Sequence, residues 1–274
     1  MAKRRIKLTV AYEGTDFNGW QKQHPPDAPP LRTCQGVLEK AVREAVREEV
    51  SVHGASRTDS GVHAVGQVAA FDTQSEIEID RLPAAISSRL PDDIRVKTAE
   101  VVPDNFNVIS DVEAKSYAYR IAYGCRRADE RPLFNRRLVS WIPWDQNLDT
   151  MRRAAEDLIG THDFASFTRL NHGRESTIRT VYSCEVESSG PLELTMTISG
   201  SGFLWNMVRI MAGTLMEVGA DRRDQWSIPA TLAACDRAAA GVTMPPEGLM
   251  LQWIRYGPPG SGRQRQVEAM RHAD

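Results

Sequence analysis

Gln35-Gly36-Val37-Leu38-Glu39-Lys40-Ala41-Val42-Arg43-Glu44-Ala45-Val46-Arg47-Glu48-Glu49 repeats its apolar residues every three or four positions. Val37, Leu38, Ala41, Val42, Ala45 and Val46 make one face, while Glu39, Lys40, Arg43, Glu44 and Arg47 fill the other, so the stretch reads as an amphipathic helix. Downstream, Val50 to Gly54 and Gly66 to Asp72 read as two strands around a turn-rich segment, Ala55 to Val65. Upstream, Ile6, Leu8, Val10 and Tyr12 alternate with Lys7, Thr9 and Ala11, the period of a half-buried strand. A second helix over Asp80 to Leu90 and a strand over Ile94 to Val102 complete the order β-α-β-β-α-β. The rest of the chain repeats that order. It has a strand at Ser116 to Tyr123 and a helix at Asp149 to Ile159, with Asp149 as N-cap and Gly160 past its end. A hairpin follows at Ile178 to Val186 and Leu192 to Ser199, then helices at Phe203 to Val218 and Pro229 to Ala240, and a last strand at Leu249 to Tyr256. The expected fold is therefore α/β in the α+β sense: two ferredoxin-like βαββαβ halves, 1–105 and 106–256, sharing a mixed, mostly antiparallel sheet. The tail 257–274, rich in Gly and Pro, is expected to be disordered.

Composition narrows the functional classes. The 274 residues hold 34 Lys plus Arg against 36 Asp plus Glu, a net charge of -2, so any nucleic-acid partner must be held by local charge. The four cysteines, Cys34, Cys125, Cys184 and Cys235, form no C-x-x-C pair, which argues against a zinc site or a disulfide framework and for a reducing, cytoplasmic setting. The N-terminal residues run into a strand pattern where a secretory signal needs an unbroken apolar stretch. The most apolar window, Phe203 to Val218, is interrupted by Asn206, Arg209 and Glu217, so no membrane span is expected.

The densest polar segment is Gly54-Ala55-Ser56-Arg57-Thr58-Asp59-Ser60-Gly61-Val62-His63-Ala64. One reading is a connecting turn in which Asp59 caps its own backbone. The other is an ionised carboxylate held in a pocket, with Arg57 beside it to meet a phosphate or displace a base. His53 and His63 flank the loop, but they lack i, i+4 spacing and neighbouring cysteines, so no metal is expected. Ser199-Gly200-Ser201-Gly202-Phe203 fails as a dinucleotide fingerprint because Trp205 stands where the third glycine belongs, and close packing at a helix start is the better account. On the strand Lys115-Ser116-Tyr117-Ala118-Tyr119-Arg120, Lys115, Tyr117 and Tyr119 share a face, which suits either the core or stacking against an extruded base. Arg209 sits among apolar residues and needs an acid, for which Asp59 is a candidate.

These segments, in this order, make the chain resemble the TruA-type tRNA pseudouridine synthase family from about Ile6 to Tyr256. The landmarks are Tyr12-Glu13-Gly14-Thr15-Asp16-Phe17-Asn18-Gly19-Trp20-Gln21-Lys22-Gln23, Arg57-Thr58-Asp59-Ser60-Gly61-Val62-His63-Ala64 with Gly66-Gln67-Val68, and Leu90-Pro91-Asp92-Asp93-Ile94. They continue with Lys115 to Tyr119, His162 to Phe167, Phe203 to Arg209 and Glu247-Gly248-Leu249. The resemblance implies a homodimeric isomerase with a central RNA-binding cleft, acting without cofactor on uridine in the tRNA anticodon stem-loop, around positions 38 to 40. It implies that Asp59 is the catalytic carboxylate, Arg57 the base-displacing arginine, Tyr117 the ring packed on the uracil and Arg209 the partner of the carboxylate, with Leu249 an apolar residue near the pocket. RNA contact is expected at Arg57, Lys115, Arg120 and Arg209, and at the cluster Arg126, Arg127, Arg131, Arg136 and Arg137.

The chain also departs from the pattern. Asn107 and Ile109 stand where the family carries an RNA-facing histidine and arginine, Ser56 and Ser60 replace the usual small residues of the loop, and Pro25 to Pro30 reads as an insertion. These departures keep open a substrate-shifted or catalytically silent RNA-binding paralogue. A carboxylate-dependent hydrolase would need a second acid at a set separation, and the loop offers none.

Overall fold

A computed structural model describes residues 3–23, 29–169 and 176–258. Most of the proline-rich run, at 24–28, and the tail from 259 onward lie outside the described residues. The chain forms two compact units, one of residues up to Glu113 joined by a segment returning from Met250, the other Ala114–Leu249. The boundary thus falls a few residues beyond 105, and the last strand from Met250 onward belongs to the first unit.

The first unit runs β1 (Arg4–Tyr12), α1 (Cys34–Val46), β2 (His53–Gly54), β3 (His63–Thr73), α2 (Leu82–Ser87) and β4 (Ile94–Val102). This is the expected β-α-β-β-α-β order. β1 lies between β3 and β4, antiparallel to both, and its alternating residues Ile6, Leu8, Val10 and Tyr12 are buried. α1 starts at Thr33, whose side chain accepts from the Gly36 N–H, and buries Leu38, Ala41, Val42, Ala45 and Val46.

One residue of that helix is misplaced by its periodicity. Glu39, expected on the outer face, is 5% exposed because Lys22, Arg43 and the Val52 N–H converge on it. The second expected strand shrinks to two residues, because Val50 and Val52 turn into the core beneath α1.

The second unit adds β5 (Val112–Ala122), β6 (Ser140–Trp141), α3 (Leu148–Glu156), β7 (Gly160–Asp163), β8 (Ile178–Gly190), β9 (Glu193–Gly200), α4 (Met207–Gly219) and α5 (Ile228–Ala233). The order β5-β9-β8-β7 is antiparallel throughout, with β6 parallel to the end of β5. Asn147, not Asp149, caps α3, since its side chain accepts from the N–H groups of Asp149 and Thr150. α4 starts at Met207 rather than at Phe203, because Asn206 adopts the left-handed conformation (φ 61°) that ends the preceding turn. The glycine packing expected at the helix start belongs to the end of β9, where a Cβ on Gly200 would lie 2.6 Å from the Thr180 carbonyl oxygen.

β10 (Leu249–Tyr256) closes the chain, and Met250 and Leu251 pair parallel with His63 and Ala64 of β3. Antiparallel ladders with a few parallel pairings fit the α+β class read from the sequence. Among the described residues all four cysteines are free, and no helix is long and apolar enough to cross a membrane.

Candidate active site

The segment between β2 and β3 is pinned at every second residue. Ser56 donates its N–H to Gln67 Oε1 (3.3 Å), and its carbonyl accepts from Gln67 Nε2 (2.7 Å). The hydroxyl groups of Thr58 and Tyr12 share a hydrogen bond of 2.7 Å, and Gln67 Nε2 also reaches Tyr12 Oη at 3.3 Å. The Thr58 carbonyl accepts from the Trp20 N–H (3.0 Å), Ser60 Oγ donates to the Phe17 carbonyl (3.1 Å), and the Val62 N–H closes a turn on the Asp59 carbonyl (3.2 Å). Ser56, Thr58 and Val62 are buried, whereas Arg57 is exposed and Asp59 partly buried. Arg57, exposed, and Asp59, partly buried, thus stand between residues that hydrogen bonds hold in place.

Register explains why Tyr12 and Gln67 meet: the antiparallel ladder sets Val10 opposite Gln67 at a point where β1 carries an irregularity before Tyr12. Two glycines let the preceding loop close over the segment. A Cβ on Gly14 would lie 1.9 Å from the Val62 carbonyl oxygen. Gly19, at φ 79°, would put one 2.8 Å from the Thr58 carbonyl oxygen. His63 is 1% exposed and its Nδ1 accepts from the Gly14 N–H (2.9 Å), which makes it a tie between loop and strand. Among the described residues no cluster of His, Cys, Asp and Glu is arranged to hold a metal ion.

The other three candidates lie in or at the border of the second unit. Tyr117, on β5, is 6% exposed and packs edge-on against Phe203, with ring centroids 5.4 Å apart and planes at 89°. Tyr119 shares the face but not the surroundings. It is wholly buried, hydrogen-bonded to Ser140 and the Pro245 carbonyl, and burial pushes its hydroxyl pKa well up. Arg209, in the first turn of α4, donates from Nε to the Met244 carbonyl (2.7 Å) and from Nη1 to Asn206 Oδ1 (3.0 Å). Those bonds fix the guanidinium orientation at a helix end whose N-cap side chain is turned to Arg209 and caps no backbone N–H. Leu249 is 5% exposed and its N–H bonds the Pro246 carbonyl (2.9 Å), which turns the chain into β10.

The expected basic rim is partly spent on internal partners. Arg126 pairs with Asp145, Arg127 with Asp129, and Arg120 with Glu193 (3.3 Å), while Arg131 lies 3.8 Å above the Trp141 ring. Asn107 faces its own turn, accepting from the N–H groups of Ile109 (2.9 Å) and Ser110 (3.0 Å), and Ile109 is 63% exposed.

Sequence reasoning missed Tyr12, Gln67 and Thr58 as the frame of the loop. All three lie inside recognised landmarks, yet their joint role becomes visible only once the strands are in register.

A family model described as tRNA pseudouridine synthase matches residues 8–110 and 154–257, so each half of the chain is covered. A tRNA pseudouridine synthase A from Brevibacillus brevis is 40% identical over 256 residues, spanning 92% of this chain and 100% of that protein. The proteins of the same description from an Exiguobacterium species and from Caldicellulosiruptor bescii are 42% and 39% identical, each over 253 residues and 92% of this chain, covering 98% and 100% of those proteins.

Proposed function

The chain belongs to the TruA-type tRNA pseudouridine synthase family, and from that premise we propose that Asp59 is the carboxylate with which it isomerises uridine. The family's reaction breaks the bond between N1 and C1′, turns the uracil and joins C5 to C1′. The C5 proton leaves and N1 gains one, so no electrons or atoms need a cofactor. A carboxylate at the sugar–base junction can drive this by attacking either partner or by taking a proton from the sugar.

The observation that carries the reading is the pinned loop, in which Ser56, Thr58 and Val62 are tied down and hold Arg57 and Asp59 between them. Catalysis on a base requires that the nucleotide leave its stack, at a cost of a few kcal/mol. In this proposal Arg57 fills the vacated place, Tyr117 packs on the turned uracil, Arg209 is the cation for the carboxylate, and Leu249 supplies apolar surface. The finer expectations are a target around positions 38 to 40 of the anticodon stem-loop, a homodimer, and a cytoplasmic setting.

The test is tritium release from 5-tritiated uridine in unmodified tRNA. Wild-type protein should release tritium, and Asp59→Ala should lose at least about 10²-fold in rate, the low end of what a positioned acid or base contributes. Mapping the modified position in the product RNA checks the stem-loop target, and equilibrium sedimentation checks the dimer.

A further inference from the structure

Trp205 is an unusual residue to leave in solvent. The residue is 43% exposed, although an indole gains more from burial than almost any other side chain. Its backbone is nevertheless fixed, because the Trp205 carbonyl accepts from the Arg169 N–H (3.4 Å) and from Thr168 Oγ1 (3.2 Å). The Arg169 guanidinium lies over the ring, 4.6 Å from its centroid. Asn206 follows directly and holds Arg209.

Trp205 and Arg209 thus belong to one short stretch, the turn at Asn206 and the first turn of α4. We propose that Trp205, backed by Arg169, is a stacking platform for an unpaired base that flanks the isomerised uridine in the RNA substrate. The proposal rests on the RNA-modifying reading above and adds a binding residue to it.

Two other exposed tryptophans show what a merely covered ring looks like. Trp226 lies under Arg153, but Arg153 is committed to Asp157 (2.9 Å) and Glu156 (3.6 Å). Trp253 lies under Arg255, which pairs with Glu113 (3.8 Å). Arg169 stands over its ring with no described carboxylate at ion-pair distance, and in the proposal its charge meets a phosphate while the ring takes the base.

The test is binding of an unmodified anticodon stem-loop hairpin, with one loop base at a time replaced by an abasic nucleotide. The proteins are wild type, Trp205→Ala, Trp205→Phe and Trp226→Ala, each with its melting temperature. Trp205→Ala should bind the intact hairpin about tenfold more weakly, while Trp205→Phe and Trp226→Ala stay near wild type. At one abasic position the wild type should lose the same factor and Trp205→Ala nothing further. Intact-hairpin binding unchanged in Trp205→Ala, or an equal loss at every abasic position, overturns the platform.

Arg169→Gln, an exposed site, carries the test if Trp205→Ala melts early. It should lower the slope of log affinity against log salt by about one phosphate, and an unchanged slope contradicts the proposal. Tritium release by wild type is followed in parallel: its absence counts against the Asp59 reading, while the abasic coupling is judged from binding alone.

Discussion

Glu39 and Asp59 are both carboxylates of the first unit, and their surroundings use polar groups for opposite purposes. Glu39 lies on a buried side of α1, where burial opposes its ionisation. The Lys22 ammonium at 2.7 Å, the Val52 N–H at 3.0 Å and Arg43 outweigh that and hold its carboxyl below the ordinary value. It ties three stretches of chain together and is 5% exposed. Around Asp59 the buried polar groups of Ser56, Thr58, Tyr12 and Gln67 bind one another, and partly buried Asp59 sits on the loop that they frame. One region uses its charge to hold the fold. The other uses neutral hydrogen bonds to hold in place the loop that carries the carboxylate proposed for the chemistry.

If that contrast is right, removing Glu39 should cost stability and little turnover. Glu39→Ala leaves Lys22 and the Val52 N–H without their acceptor, while Arg43 keeps the Val50 carbonyl and Glu49. Urea denaturation should show a loss of about 2–3 kcal/mol, below the 3–5 of a fully buried pair because Lys22 and Arg43 keep about a third of their side-chain surface in solvent. Tritium release per folded molecule should stay at the wild-type level.

Tyr12→Phe probes the opposite case. It strips one hydroxyl from the loop frame and should cost about 1–2 kcal/mol. It should also slow turnover about tenfold or more through misplacement of the loop, with KM little changed. A loss of stability alone would make Tyr12 an ordinary core residue.

The smallest effect is in pH. A carboxyl held below its ordinary value of 4.5 contributes stability that is present above that value and lost as pH falls through the lowered one. The stability gap between wild type and Glu39→Gln should therefore be constant above pH 4.5 and narrow below it, as read from acid titrations of the melting temperature.

The same contrast explains what could be read from the chain alone. β1 and α1 were legible because their apolar residues repeat at the strand and helix periods, and the order β-α-β-β-α-β followed from them. Glu39 was not, since periodicity separates polar from apolar and is blind to a polar residue that is buried because its partners are buried with it. The start of α4 was misjudged because apolar Phe203 and Leu204 continue the helical pattern through a turn that left-handed Asn206 ends. At the site, Arg57 and Asp59 stood out as a charged turn, and their roles came from the resemblance. Tyr12 and Gln67 are far apart in sequence and meet only through the β1–β3 register, which no local pattern encodes.

The central claim is that Asp59 is required for chemistry and dispensable for the fold. Tritium release by Asp59→Ala, measured beside its melting temperature, tests both at once. The account predicts a fall of at least about 10²-fold in rate with a melting temperature close to wild type. Wild-type release by a folded Asp59→Ala protein would contradict it.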